Sequence, residues 1–451
     1  MTPNSSASNK KSGSGESLRG TERILAYKAM PAGSKVFLPE QARRKRLLEE
    51  RLLAVFGRWG FSEIVTPVFE FYVPSPAGEG RDAETFRQVD RESGELLALR
   101  ADMTPQIARV AGTLLADQPR PLRLCYMTNV FRHAHVAGLL QREFWQAGVE
   151  LIGLISLEAD AETIAIAVEC LRTAGVENFR ISLSHTAYLR GILDALGLEG
   201  ARRREVLDAV ARRDAAGLDA LLRGLPGKRE DARRLLDLPS LFGGKEVLDR
   251  AAKGVRNASS RRALRELARV LRLLDFYGLA DRVLLDLSDF RDFDYYTGVI
   301  FEGFVEGSGY PICGGGRYDR LLGLYGTDGH GTGFALDLDQ LLRIATLNGS
   351  EPGGADFLVI DFTQEKRIGV TLARDLRARG WRVARDIIRR DLAASLDYAR
   401  RAGVHRCVVV DAQESRTGRV RLLDSSGKEL DRCKASELAA RIGERDREER
   451  S

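Results

Sequence analysis

Apolar positions along this chain change rhythm several times. Leu48, Leu52, Val55 and Trp59 return at helical spacing, which predicts one buried stripe on a helix opened by Pro39 and Glu40 and ended near Gly57 and Gly60. Phe61 to Phe69 then reads as a strand, with Pro67 marking an edge, a bend or an interface position. Phe86 to Asp90 and Leu96 to Arg100 read as short strands around a Glu92-Ser93-Gly94 turn. Thr104 and Pro105 suit the N-cap and first position of a helix whose Ile107, Ala111 and Leu114 face inward, leaving Asp102 at a strand-to-helix corner. Leu122 to His133 and Gln141 to Gly153 read as a long antiparallel pair joined by a loop at Ala134 to Leu140. In the second strand Arg142, Phe144, Gln146, Gly148 and Glu150 share a face, because strand side chains alternate. So polar a face is either solvated or lines a pocket; Trp145, Val149 and Leu151 supply the packing opposite.

Leu157 to Ala174 reads as a helix and Phe179 to Leu183 as a strand, and residues 189–279 form an arginine-rich helical insertion. Val283 to Leu287 restores strand character ahead of residues 291–320, RDFDYYTGVIFEGFVEGSGYPICGGGRYDR, which read as strand, turn, strand and glycine run. Gly314, Gly315 and Gly316 let backbone approach a ligand or another strand. Around them the sequence places Arg291, Asp294, Tyr295, Tyr296, Arg317, Tyr318 and Asp319, a set suited to a small zwitterion; the bland alternative is a polar hairpin. Gly331 to Leu342 reads as a turn or strand entering a helix. Beyond a Glu351-Pro352-Gly353-Gly354 linker come strands at 357–361, 381–386 and 406–411, a further short one at 420–423, and helices at 365–379 and 391–402. This is a small α/β domain, without a G-x-G-x-x-G or P-loop.

Composition narrows the classes. The net charge of +6 points only weakly to nucleic acid, since runs such as Arg202-Arg203-Arg204-Glu205 look like solvated helix faces. No apolar run is long enough to span a bilayer and no apolar signal core opens the chain, so the expected setting is cytoplasmic. Five scattered cysteines without a C-x-x-C pair argue for reduced thiols and against zinc. His133 and His135 would share a strand face, but exposed loop histidines explain them better than a metal. Residues 1–21 are too polar to order themselves.

Several stretches together resemble one family. FSEIVTPVFE resembles motif 1 of class II aminoacyl-tRNA synthetases, and NVFRHAHVAGLLQREFWQAGVELIG resembles motif 2. RDFDYYTGVIFEG and CGGGRYDRLLG resemble the histidine-pocket signatures of histidyl-tRNA synthetase. The resemblance implies an α+β fold: a six-stranded antiparallel sheet with flanking helices, dimerising through motif 1. The synthetase-like core would span residues 22–350 and an anticodon-binding-like domain residues 355–440. It further implies a histidine site. Asp102, Thr104 and Gln146 match positions at the ammonium, Arg291 the carboxylate, and Glu150, Tyr295 and Tyr318 the imidazole.

The ATP half departs from the synthetase. Arg132 is retained, but Ala134 replaces the motif 2 glutamate and Leu140 a second basic position. In the motif 3 stretch Gly333 to Gln340, Gln340 stands where the triphosphate-binding arginine belongs and Asp337 where glycine is expected. One lost charge-assisted hydrogen bond is worth about 1.5–3 kcal/mol. This pattern, with LPEQARRKRLLEERLLAVFGRWGF, LALRADMTPQIARVAGT, PLRLCYMTNVFR and LLDLSDFRDFDYYTG, resembles the paralogue that serves as regulatory subunit of ATP phosphoribosyltransferase. That resemblance implies a non-catalytic protein, without metal or cofactor, carrying histidine feedback. Its partner would be a short-form catalytic subunit that joins ATP to phosphoribosyl pyrophosphate in the first step of histidine biosynthesis. No membrane or nucleic-acid partner is expected. The paralogue often lacks the C-terminal domain, which keeps two other readings open: an active histidine–tRNA ligase, and an RNA-binding protein of synthetase descent. Whether histidine binds in the relic pocket or at a subunit boundary stays open at this point.

Overall fold

A computed structural model describes residues 30–72, 84–136, 139–223, 229–289, 296–326, 329–347 and 354–448. The tail at 1–21, most of the linker, and Arg291, Asp294 and Tyr295 lie outside the described residues. The chain divides into two compact units, one on Arg44–Leu347 with the residues up to Phe37, the other on Asn348–Ser451 with Leu38–Arg43.

Helix α1 (Pro39–Arg58) buries Leu48, Leu52, Val55 and Phe56 completely, as its apolar spacing requires. The expected strand from Phe61 to Phe69 is broken into β1 (Ser62–Glu63) and β2 (Phe69–Phe71). Pro67 has no N–H to place in a ladder. Side chains hold the gap instead: Arg100 Nη1 donates to Thr66 O at 2.9 Å and Gln106 Nε2 to Pro67 O at 3.2 Å. Strands β3 (Arg87–Val89) and β4 (Leu96–Leu99) complete a small sheet with β2, in the order β2-β4-β3. Helix α2 (Thr104–Gly112) is capped by Met103, not Thr104, whose hydroxyl is engaged elsewhere. Ile107 and Ala111 are buried as expected, but the helix stops short of Leu114, which is 82% exposed.

Strands β5 (Leu122–Val136) and β6 (Leu139–Ile152) run through most of the expected 134–140 loop, pairing Ala134 with Gln141 and Val136 with Leu139. A bulge interrupts the pairing between Phe131 and Ala134. Helix α3 (Leu157–Thr173), capped by the Ser156 side chain, leads to β7 (Phe179–His185). The insertion follows as α4 (Thr186–Leu196), α5 (Gly200–Ala211), α6 (Ala215–Leu222), α7 (Arg229–Asp237), β8 (Phe242–Gly243), α8 (Glu246–Ala252) and α9 (Ala258–Phe276). Strands β9 (Val283–Asp286), β10 (Val299–Val305), β11 (Cys313–Arg317) and β12 (Gly331–Asp337) then enter helix α10 (Leu338–Ile344).

Among the described residues the large sheet has nine strands, ordered β1-β5-β6-β12-β11-β10-β7-β9-β8. The six from β5 to β7 pair antiparallel throughout, as the resemblance implied; β1 joins parallel at one side, and β9 parallel, then β8, at the other. One face packs on α1 and α3 through Val149, Leu151, Phe334 and Leu336.

The second unit holds β13 (Phe357–Asp361), α11 (Arg367–Ala378), β14 (Val383–Asp386), α12 (Leu392–Arg401), β15 (Arg406–Val410), α13 (Ala412–Thr417), β16 (Arg419–Asp424), β17 (Glu429–Lys434) and α14 (Ala435–Glu448). Its sheet runs β14-β13-β15-β16-β17, with the first three strands parallel. The polar β17 and α14 carry little apolar rhythm and escaped the sequence reading. All five cysteines are buried and unpaired.

Candidate amino-acid site

The free face of the six-stranded core has a floor almost without side chains. Gly314 on β11 pairs with Ala335 on β12, which pairs with Gly148 on β6; Gly316 pairs with Gly333, and Gly333 with Glu150. A Cβ on Gly315 would lie 2.1 Å from Gly333 O, and one on Gly316 2.5 Å from Val299 O, so these glycines are demanded by strand approach. A Cβ on Gly314 would meet nothing nearer than 3.6 Å, and the residue lines a cavity of about 550 Å³.

That cavity gathers Asp102, Thr104, Arg132, Gln146, Tyr296 and Tyr318 from five separate places along the chain. Asp102 comes from the corner before α2, where its carboxylate accepts the Thr104 N–H at 3.4 Å. Gln146 projects from β6 opposite Asp337, and its Oε1 is buried with no hydrogen-bond partner among the described residues. Arg132 lies over the Phe144 ring, 4.7 Å from its centroid.

Glu150 is placed differently from expectation. It shares the face of Gln146 but does not line the cavity, being 1% exposed beneath the wall. Thr104 Oγ1 donates to its Oε1 at 2.6 Å, and the Tyr318 hydroxyl donates to its Oε2. Burial pushes this carboxyl up to about 8, against the pull of the two hydroxyl bonds, and Asp102 adds to the rise. Arg317 and Asp319 are also turned away. The Arg317 guanidinium is buried on Asp160 at 2.9 Å and on the carbonyls of Leu154 and Ser156, and it meets Asp319 at 3.3 Å.

The cavity also carries further carboxylates. Asp289, Glu302 and Asp337 line it together with Pro311, Ile312 and Cys313. Asp337 caps α10, accepting the Gln340 N–H at 2.9 Å and its side-chain Nε2 at 3.0 Å. Burial raises the Asp337 carboxyl despite these bonds. Gln340 Nε2 also donates to Pro311 O at 3.3 Å, so its amide is consumed locally. Asp339 is buried on Lys35, Gln141 Nε2 and Trp145 N. Ala134 packs against the small core under α2, and Leu140 pairs with His135. Asp289 and Glu302 were not singled out in the sequence; the lone carboxylate in the apolar strand VIFEGFV is the signal for the second.

Fold and site together define a class II domain of the histidyl-tRNA synthetase type. Residues 33–341 match the family described as histidyl-tRNA synthetase, and 358–445 match the anticodon binding domain. The chain is 43% identical over 385 residues to the ATP phosphoribosyltransferase regulatory subunit of Geobacter metallireducens, covering 84% of this chain and 89% of that protein. It is 41% identical to the regulatory subunit of Geobacter sulfurreducens, covering 91% and 94%. The chain belongs to the family of ATP phosphoribosyltransferase regulatory subunits. A solved ATP phosphoribosyltransferase regulatory subunit/histidyl-tRNA synthetase from Bacillus halodurans superposes with TM-score 0.72 at 31% identity, over 82% of this chain and 96% of that one. The histidyl-tRNA synthetase of Nostoc, at 24% identity and TM-score 0.72 over 92% and 99%, shares the fold. A match over 91% of this chain must extend well into the second unit, so the C-terminal domain is shared with the Geobacter sulfurreducens relative.

Proposed function

We propose that this chain is a non-catalytic regulatory subunit that assembles with a short-form catalytic subunit of ATP phosphoribosyltransferase and brings histidine feedback to it. The observation that carries the reading is the set of side chains at the cavity. Asp102, Thr104 and Gln146 line it with acceptors suited to an ammonium group, while Asp337 and Gln340, at positions where a ligase needs to hold a triphosphate, bond each other. Arg291 and Tyr295 complete the histidine site in this reading by their match to the family's positions. Self-association through the motif 1 stretch and a cytoplasmic setting belong to the same reading. Among the described residues no helix is long and apolar enough to cross a membrane.

The test has two arms. Histidine-dependent exchange of pyrophosphate into ATP should be absent; turnover at about 1 per second or faster would establish a ligase instead. Reconstitution with a short-form transferase should yield activity that histidine inhibits only when this chain is present.

A further inference from the structure

We propose that residues 31–37 act as a latch on the amino-acid site, with Lys35 as its positioning residue, so that the seated latch and the bound ligand stabilise one another. The inference rests on the reading of the cavity as a histidine site and deepens it.

The segment is attached at three points where β6 meets α10. Gly33 O accepts the Arg142 N–H on β6 at 2.9 Å. Gly33 has a φ of +82°, and a Cβ there would lie 3.0 Å from Arg142 N and 3.1 Å from Leu140 O, so the close approach and the backbone both ask for glycine. Lys35 Nζ donates to Asp339 Oδ1 in the first turn of α10. Phe37 meets the Trp145 ring edge on at 6.5 Å, and Lys45 Nζ lies 3.3 Å from the centroid of that ring.

Asp339 makes the segment matter to the cavity. Its side chain is 3% exposed, and its Oδ2 accepts the Trp145 N–H and Gln141 Nε2, both at 3.2 Å. This carboxylate ties β6 to α10, and Lys35 is the cation that answers its charge. Two cavity residues hang on the same tie. Gln146 follows Trp145 on β6, its side chain on the opposite face, and it pairs with Asp337, two residues before Asp339. Unseating Lys35 leaves Asp339 buried without its cation, which is costly. Drawing α10 away from β6 relieves that cost and takes Asp337 and Gln146 out of register.

The hold on the latch is light enough to be shifted. Lys35 is exposed, Val36 is 59% exposed and Phe37 is only half-buried. A segment with so few buried apolar contacts opens locally at far lower cost than the whole fold. A ligand that prefers the seated form holds the latch shut, and by reciprocity the latch tightens the ligand by the same factor.

Limited trypsin digestion of the full chain, with and without L-histidine, reads the latch directly, because the Lys35–Val36 bond must leave its seat to be cut. At about a hundred times the calorimetric Kd of histidine, that cut should slow about tenfold, while the cut at the exposed Arg379–Gly380 bond keeps its rate. Calorimetry should find histidine about tenfold weaker on Lys35→Met, and within about threefold of wild type on Lys35→Arg, which keeps the cation. A lysine that only supports the fold would lower the melting temperature of Lys35→Met and leave its affinity unchanged well below the melt; that result would overturn the inference. Histidine binding to the wild type with an unchanged Lys35–Val36 cut, or with both cuts slowed alike, would overturn it too and leave the histidine site standing. Should Lys35→Met not fold, the wild-type digestion decides alone. No histidine binding to the wild type would overturn the reading of the site and this inference with it.

Discussion

Arg317 and Glu150 are both buried beside the glycine run, and the protein treats them oppositely. Arg317 is ion-paired with Asp160, their side chains 7% and 2% exposed, and takes two further carbonyls. Removing one member of such a pair strands the other in low dielectric. Arg317→Ala should cost about 3–5 kcal/mol in urea unfolding. Glu150 is met by two hydroxyls, and burial raises its carboxyl against the pull of both bonds. A third case runs the other way. His185 Nε2 lies 2.9 Å from Glu266, Arg262 is also bonded to that carboxylate, and Glu266 is held down to about 2. A depressed carboxyl adds stability above its unfolded value, near 4.3, which is lost as pH falls through the folded value. Glu266→Gln should therefore lower the urea midpoint at pH 7, and the gap from wild type should close by about pH 2, measured across that acid range.

At the scale of elements, β12 is the strand on which the site depends. A methyl group on Gly333 would sit 2.0 Å from Glu150 and 2.4 Å from Val149 O. Gly333→Ala should cost about 1–3 kcal/mol by overpacking and weaken histidine binding, seen by thermal melting and calorimetry. The glycine itself is legible in the sequence, as is the polar alternation from Arg142 to Glu150. Alternation fixes a face but not a depth: Gln146 reaches the cavity, whereas Glu150 ends beneath it. That difference depends on Thr104 and Tyr318 arriving from α2 and from the end of β11, contacts of long sequence separation that no local pattern encodes. The same limit explains Thr104, a good cap by residue type whose hydroxyl is used by Glu150. The antiparallel six-stranded core was legible because its motifs are distinctive. The short β8 and the polar β17 were not, having two and six residues with mostly exposed or half-buried side chains.

Over the whole molecule the charge is unevenly shared. Residues 355–451 hold 22 Lys and Arg against 17 Asp and Glu, leaving them five of the chain's net +6. A basic surplus attracts RNA without selecting it. Selective reading of single strands wants exposed aromatics for stacking. Here Phe357 and Trp381 pack edge to face at 5.5 Å with the Arg406 guanidinium over both rings, and Tyr398, under Arg390, and Phe362 keep only 42% and 39% exposure. The full chain should therefore bind histidine tRNA no tighter than about micromolar at physiological salt, with steep salt dependence in filter or fluorescence titration. Tighter binding that prefers this tRNA over others would contradict that expectation.

The five buried thiols give the protein a built-in clock for its own opening. Burial raises Cys125 and Cys407 to about 11 and Cys313 to about 12, and lifts Cys170 and Cys433 as well. A thiol that is both covered and protonated does not react. The native chain should thus be silent to a thiol-specific dye at pH 8, and each cysteine labels only when its surroundings unfold. Cys125, Cys170 and Cys313 belong to the unit that carries the cavity, Cys407 and Cys433 to the C-terminal one. Peptide-resolved labelling along a urea gradient will therefore time the two units separately in the unmodified protein, without a single engineered probe.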